Sequence, residues 1–424
     1  VWIKGGRILD PATNTDAIGD VCIEGAEIAG IYPGGKDAET NDVIDATGLW
    51  VMPGLIDMHA HLRDPGFEYK EDIYTGSLAA AAGGITTVIA MANTDPVNDS
   101  PAVTEYIIGK AKDVGLVRIL PVGAATKGQK GKELAEMGLM KAKGIAGISD
   151  DGAPIEDAFM LRKVLEYAAT FGLRVISHPE DKSLSASGVM NEGELSTRLG
   201  LSGIPKAAEE VMVARDVIVS EFTGIPVHIT HISTKGSMDI VKRAKGKGIP
   251  VSCDATPHHL LLTQERVSSY DTNTKMYPPL REDQDRSALI EGIKTSVIDV
   301  IATDHAPHAR DEKDRDFDLA PFGVIGLQTL LPAVINLHLE QGLDLMKAIS
   351  CVTINPARIL GIDGGTICPG ARADITVVDP NAVWTLTEDM IKSKSKNSPF
   401  IGSTFKGKVV YTIARGRKVY KDGS

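Results

Sequence analysis

Between residues 53 and 360 the chain alternates two hydrophobic patterns. Short apolar runs rich in β-branched residues occur at 55–61, 85–91, 117–122, 145–149, 173–178, 225–231, 249–254 and 297–303. They read as strands. Each is followed by a stretch of helical character, among them 71–82, 102–114, 156–171, 207–222, 237–245 and 324–340. Eight such units in about 300 residues predict an α/β fold, a (β/α)8 TIM-like barrel. An open doubly wound sheet would call for a glycine-rich phosphate loop after the first strand, and none is there. No repeat of solenoid length is visible.

The two ends differ from this middle. Residues 1–9, 20–23 and 27–32 are strand-like and are broken by Gly-Gly, Asn-Thr-Asp and Pro-Gly-Gly turns. Residues 373–378, 408–415 and 418–420 follow the same style, punctuated by Gly407 and Gly416. Both ends together predict one small β-sandwich domain. The expected division is 1–52 and 361–424 for that domain and 53–360 for the barrel.

Composition narrows the class. At 424 residues with 43% apolar content, the chain can bury one large barrel plus an accessory domain. Its four cysteines are scattered and form no CxxC pair, which points to a reducing compartment without disulfides. The first residues, Val1-Trp2-Ile3-Lys4-Gly5-Gly6, lack the charged and apolar regions of a signal peptide, and no apolar run is long enough to span a membrane. A cytoplasmic protein with no membrane partner is expected. A net charge of −11 without a long basic run argues against nucleic acid.

The chemistry begins at Asp57-Met58-His59-Ala60-His61. Alternate side chains on a strand share a face, so His59 and His61 point the same way and could share one metal ion. Alone, such a pair reads equally as two histidines making ordinary hydrogen bonds. Position separates the two readings. His178 ends the fifth predicted strand, His231 the sixth and Asp304 the eighth, while Asp150-Asp151-Gly152 follows the fourth. All fall at the carboxyl ends of strands, the catalytic face of a barrel. Chance scatter of ten histidines does not account for four there.

Other histidines are set aside. Strand parity turns His228 away from His231 toward helix packing. His305 points away from Asp304, and His338 lies within a helix. His258 and His259 follow Thr256-Pro257 in a loop or helix start, where one could stand behind a ligand. His308 lies in a loop within a substrate's reach. Histidine and carboxylate donors without thiolates suit zinc, which activates water and polarises a carbonyl. A carboxylate on the eighth strand can carry a proton from the attacking water to a leaving nitrogen. These are components for hydrolysing an amide.

Pro53-Gly54-Leu55-Ile56-Asp57-Met58-His59-Ala60-His61 resembles the opening motif of the amidohydrolase superfamily, and Gly370-Ala371-Arg372-Ala373-Asp374-Ile375 resembles its closing motif. More narrowly, the chain resembles bacterial and archaeal type I dihydroorotases over nearly its whole length. The similar blocks include His61-Leu62-Arg63-Asp64-Pro65-Gly66, Asn93-Thr94-Asp95-Pro96, Ser149-Asp150-Asp151-Gly152, Thr256-Pro257-His258-His259, Pro278-Pro279-Leu280-Arg281 and Ala320-Pro321-Phe322-Gly323.

The resemblance implies reversible cyclisation of N-carbamoyl-L-aspartate to dihydroorotate, in pyrimidine synthesis. It implies two zinc ions per subunit. His59, His61 and Asp304 would hold one and His178 and His231 the other, with Asp151 and a hydroxide between them. Asp304 would also move the proton. Arg63 would clamp the substrate carboxylate, since a guanidinium fork matches a carboxylate bidentately. Asn93 and His308 would complete that site, and the backbone of Phe322 and Gly323 would bind the ring.

Two departures stand out. Hydantoinases, dihydropyrimidinases and allantoinases use a carbamylated lysine as the bridge. Here Lys141 and Lys143 precede the fourth strand, and aspartates end it. Tyr277 occupies a position where the family usually carries Asn. Either its hydroxyl takes over the contact to the substrate's ring amide, or the pocket is altered. The family further implies a homodimer and, in some members, aspartate transcarbamoylase as partner. Two rival readings are a hydantoinase- or allantoinase-type amidase and a catalytically silent partner of aspartate transcarbamoylase. The silent homologue should have lost metal ligands, and all six are here. The charged stretch 309–318 is a candidate lid.

Overall fold

The computed structural model describes residues 1–36 and 42–423. Among them, eight parallel strands lie side by side in chain order: β1 Leu55–Ala60, β2 Ile85–Ala90, β3 Arg118–Gly123, β4 Gly147–Ile148, β5 Arg174–Ser177, β6 Val227–Ile229, β7 Val251–Ala255 and β8 Val300–Ile301. The ring closes just past β8, where Ala60 bridges His305 and the His61 N–H donates to the His305 carbonyl at 2.8 Å. β1 and β2 are buried along their whole length, as expected of parallel strands covered on both faces.

The helices outside obey simple local rules. Ala158–Ala169 starts where the Asp157 side chain accepts from the Met160 N–H, and it turns Leu161, Val164, Leu165 and Ala168 inward. Lys235–Gly246 is capped by Thr234 and buries Met238, Val241 and Ala244. Asp283–Lys294 supplies the helix after β7. The helix expected over 324–340 begins later, at Leu330. Val324 is held extended by a bridge to His305, and the Gly326 N–H donates to His305 Nδ1, so the chain cannot coil there.

Both termini build a second sheet. Among the described residues one hydrogen-bonded path runs through Arg417–Lys421, Thr404–Ala414, Ile375–Thr385, Trp50–Pro53, Trp2–Asp10, Thr15–Glu24 and Glu27–Pro33, and Val43–Asp45 also pairs with Trp2–Asp10. Ile3, Ile8, Val21, Ile23, Val51, Ile375 and Ile413 form its own core. Leu9, Met52, Val378 and Val409 instead join the barrel core. Thr376 and Thr412 donate to the Gly84 and Ala81 carbonyls at 2.6 Å, which fastens this sheet beside the first helix of the barrel.

Candidate metal centre and substrate pocket

β1, β4, β5, β6 and β8 all deliver polar side chains to one end of the barrel. His59 and His61 come from β1 and its carboxyl end. Asp151, His178, His231 and Asp304 follow the ends of β4, β5, β6 and β8. His231 and Asp304 have φ of 37° and 47°, left-handed values that strain a residue with a Cβ. Both stand beyond the regular strand, and this backbone bend turns them into the cluster.

Asp151 lies at the centre. Its Oδ2 is 3.1 Å from His59 Nε2 and 3.3 Å from His61 Nε2. Its Oδ1 is 3.2 Å from His178 Nδ1 and 3.4 Å from His231 Nε2. One carboxylate thus gives one oxygen to each pair of histidines. Asp304 Oδ1 joins the first pair, 3.1 Å from His61 Nε2 and 3.4 Å from His59 Nε2. The arrangement forms two adjoining sets, His59–His61–Asp151 and Asp151–His178–His231, each with ligand atoms within 4.8 Å of one another.

These atoms fit a metal better than they fit each other. His59 Nε2 is buried and has no hydrogen-bond partner among the described residues. Its tautomer is set from behind. Thr230 donates its only hydroxyl proton to Asp254 Oδ2 at 2.8 Å, so its oxygen accepts from His59 Nδ1–H at 2.8 Å. Nε2 is therefore the nitrogen turned toward the carboxylates and the one open to a metal. His61 Nδ1 likewise meets Asn93 Oδ1 at 2.7 Å and leaves Nε2 toward Asp151 and Asp304. Donors about 2 Å from a tetrahedral zinc stand roughly 3.3 Å apart, close to the separations here.

The electrostatics agree. Burial disfavours a charged His59, yet Asp151 and Asp304 outweigh it and lift its pKa to about 10. His178 rises to about 9 against the same burial, driven by Asp151 and Glu180. Burial opposes ionisation of Asp151, but the surrounding histidines hold it well below the usual carboxylate range. Such a cluster attracts cations, and a metal binding there would displace protons from its histidines.

A cavity of about 420 Å³ opens onto these residues. Arg63 lines it in a left-handed conformation, φ 62°. Its Nε donates to the Pro307 carbonyl at 3.2 Å, and among the described residues its guanidinium makes no ion pair. It stays available for an anion. His308 donates Nε2–H to the Phe322 carbonyl at 2.8 Å; burial and the nearby Arg63 push its pKa down to about 3, so it is neutral. The Gly323 N–H donates to the Lys275 carbonyl at 3.0 Å, and its own carbonyl accepts from Asn397. Both polar groups of Gly323 are thus engaged, while the Phe322 carbonyl keeps one lone pair. Asn93 has its side-chain oxygen on His61 and retains its NH2.

Tyr277 also lines the cavity, but its hydroxyl donates to Glu180 Oε1 at 2.7 Å. Its ring stacks near His178 (centroids 6.2 Å apart) and meets Phe322 edge-on at 4.8 Å. The pocket is thus lined by the ring of Tyr277, with its hydroxyl turned to Glu180. Of the two possibilities for this position, the geometry favours an altered pocket over a substitute hydroxyl.

The remaining histidines lie outside the cluster. His305 donates Nε2–H toward Glu71 at 3.4 Å. His259 bonds Thr256 and the Pro278 carbonyl, and His338 bonds the Leu343 carbonyl. His258 is buried and driven down to about 4 by desolvation. His228 differs from the helix-packing role expected of it. It sits fully buried between Ser252 (2.8 Å) and Asp254 (2.9 Å), behind the Thr230–His59 contact. Asp150 is anchored by the Ala125 and Thr126 N–H groups. Glu180, Thr230 and Asp254 were not singled out from the sequence. The available signals were Glu180 two residues past His178 and Asp254 at a strand end.

An eight-stranded barrel with histidines and aspartates converging at its carboxyl end fits the amidohydrolase class, and the relatives below make it a cyclic-amide hydrolase. Residues 48–237 match the Dihydro-orotase-like family and residues 335–420 the Amidohydrolase family. The chain is 51% identical over 421 residues to a dihydroorotase of Geotalea daltonii and 52% over 419 residues to one of Geobacter metallireducens. It is 49% identical over 423 residues to a dihydroorotase of Acetivibrio thermocellus, and each of these alignments covers 99% of both chains. Among solved structures it superposes on an L-hydantoinase (dihydropyrimidinase) from Arthrobacter aurescens with TM-score 0.89 and 24% identity, covering 100% of this chain and 96% of that one. A D-hydantoinase (dihydropyrimidinase) from Thermus sp. gives TM-score 0.83 at 25% identity, with 100% and 96% covered. The chain belongs to the dihydroorotase family.

Proposed function

We propose that this protein catalyses the reversible cyclisation of N-carbamoyl-L-aspartate to L-dihydroorotate, with two zinc ions held by His59, His61, Asp151, His178, His231 and Asp304. The observation that carries this reading is the split of Asp151, with one oxygen toward each histidine pair, beside an Arg63 that makes no ion pair among the described residues. An aspartate in the bridging place stands where hydantoinase-type relatives use a modified lysine.

Zinc, when bound, supplies an acidified water and polarises the ring carbonyl. The chain's own residues do the rest. Arg63 anchors the substrate carboxylate, with Asn93 and neutral His308 beside it. Tyr277, Phe322 and Gly323 shape the wall against the ring. Asp304, held near His59 and His61, accepts the proton of the attacking water and delivers it to the departing ring nitrogen. In the synthetic direction it takes that proton back. Holding Asp304 close to the reacting centre spares a proton transfer through bulk solvent.

The division of the chain at 52/53 and 360/361 is part of the same proposal, supported by terminal-sheet strands that end at Pro53 and resume at Ile375. Family membership supports a homodimer, a cytoplasmic location and aspartate transcarbamoylase as a candidate partner. Among the described residues no helix is long and apolar enough to cross a membrane, and the cysteines form no disulfide.

Metal analysis of the purified protein together with an activity assay tests the reading. Two zinc ions per chain and dihydroorotate turnover abolished by a chelator are expected. A protein with no bound metal, or turnover indifferent to the chelator, would contradict it.

A further inference from the structure

Within the cluster, His59 is supported from behind by Thr230 and His61 by Asn93, both uncharged. His178 is treated differently. Its Nε2 faces Glu180 Oε2 at 3.1 Å, while its Nδ1 faces Asp151 and, at 2.9 Å, His231 Nε2. Glu180 lies two residues along the chain in the turn His178-Pro179-Glu180, and its N–H donates back to the His178 carbonyl at 3.2 Å. Its carboxylate accepts two more hydrogen bonds, from the Ser185 hydroxyl and the Tyr277 hydroxyl, both at 2.7 Å. Among the described residues no lysine or arginine pairs with it. A largely buried carboxylate with three donors and no lysine or arginine is placed to orient those donors.

We propose that Glu180 is a positioning residue that ties the metal centre to the substrate wall. It keeps the proton of His178 on Nε2, so that the Nδ1 lone pair points at Asp151 and His231, and it fixes the Tyr277 ring through its hydroxyl. A carboxylate behind a ligating imidazole raises its basicity and locks its tautomer, an effect worth about 10–100-fold in metal affinity. The two metal sites should therefore depend unequally on what lies behind them. The Asp151–His178–His231 site would rest on a charge that the His59–His61 site lacks. Because Ser185 and Tyr277 also hold Glu180, the support of the ligand and the shape of the pocket form one unit.

This inference rests on reading Asp151, His178 and His231 as ligands, and one titration separates the two. Apoprotein is titrated with cobalt(II), followed by its visible spectrum and by the metal retained against a competing chelator. The wild type should bind two ions. Glu180→Gln should weaken one of them about 10–100-fold and alter its spectrum, while the other holds within twofold. Glu180→Asp, which keeps the charge on a shorter arm, should fall between. It carries the test if Glu180→Gln does not fold. Fewer than two ions on the wild type would overturn the two-site reading itself. Two ions held as tightly by the folded variants as by the wild type, with unchanged spectra, would overturn the role of Glu180. In steady-state assays the folded variant should lose kcat once cobalt is no longer saturating and recover it at high cobalt. A purely structural role would leave the cobalt dependence of kcat the same as the wild type's.

Discussion

Asp304 stands 3.1 Å from His61 and at the edge of the pocket, so in the proposed mechanism one side chain would serve both as ligand and as proton carrier. An amide in its place keeps an oxygen and loses the base. Asp304→Asn should lower kcat by roughly 10²–10⁴-fold while retaining part of the zinc, measured by steady-state kinetics with metal analysis. Full activity would remove the proton-carrier role. Arg63, which makes no ion pair among the described residues, should act in binding. Arg63→Met should raise KM for dihydroorotate by roughly 10–150-fold, the equivalent of about 1.5–3 kcal/mol for charge-assisted bonds. An unchanged KM would take Arg63 out of the site. Gly323 has φ 135°, and a Cβ there would lie 2.9 Å from Ala306 and 3.0 Å from His308 Cδ2. Gly323→Ala should cost about 1–3 kcal/mol of local strain and lower kcat/KM correspondingly, with zinc content unchanged.

At this scale the sequence was informative where chemistry and strand ends coincide. His59, His61, Asp151, His178, His231 and Asp304 were all singled out, and the structure brings them together. The supports behind them were not legible. Thr230, Asp254 and Glu180 make contacts between segments far apart in the chain or around a turn; the position of Glu180 two residues past His178 and of Asp254 at a strand end is a signal, but neither reveals which groups they meet. Tyr277 was recognised as unusual, but only the fold shows that Glu180 takes its hydroxyl.

Among the elements, strands were read within a few residues because buried parallel strands are nearly continuous in apolar residues. The late start of the helix at Leu330 follows from a bridge between Val324 and His305, a pairing that local pattern cannot reveal. The stretch 309–318 contains the short helix Arg310–Lys313 and is tied down in this structure. Lys313 Nζ donates to the Pro321 carbonyl at 2.9 Å, and Lys275 Nζ to the Phe317 carbonyl at 2.7 Å. Another tie joins the first barrel helix to the loop near residue 393. Buried Glu71 accepts from Ser393, Thr75, the Lys394 N–H and His305. Burial opposes its charge, yet these donors hold its pKa below the ordinary value.

The sign of the resulting pH dependence is set by that lowered value. The unfolded chain binds the proton more readily, so the stabilisation is present above the ordinary glutamate pKa and is lost as pH falls through the folded one. Glu71→Gln should lose about 1–3 kcal/mol at neutral pH. Its melting temperature should then fall less steeply than the wild type's on acidification below pH 5. Parallel acid limbs would show that Glu71 does not titrate on unfolding.

For the molecule as a whole, the barrel and the terminal sheet divide the work. The sheet gathers both ends of the chain and contributes Leu9, Met52, Val378 and Val409 to the barrel core. The barrel brings six metal-competent side chains from five strand ends to one place. The alternation of patterns made this architecture legible, since a barrel repeats one local unit. The hydrogen-bonded path through the terminal sheet was not, because it joins strands from opposite ends of the chain. Substrate choice belongs to this scale too, for it depends on the charge and shape of the entire pocket. The most direct measurement is turnover of dihydroorotate, hydantoin, dihydrouracil and allantoin by the zinc-loaded protein, each with and without a chelator. Dihydroorotate alone should be turned over, and only without the chelator. Preferred turnover of a ring that lacks the carboxylate would contradict dihydroorotase activity and the role given to Arg63.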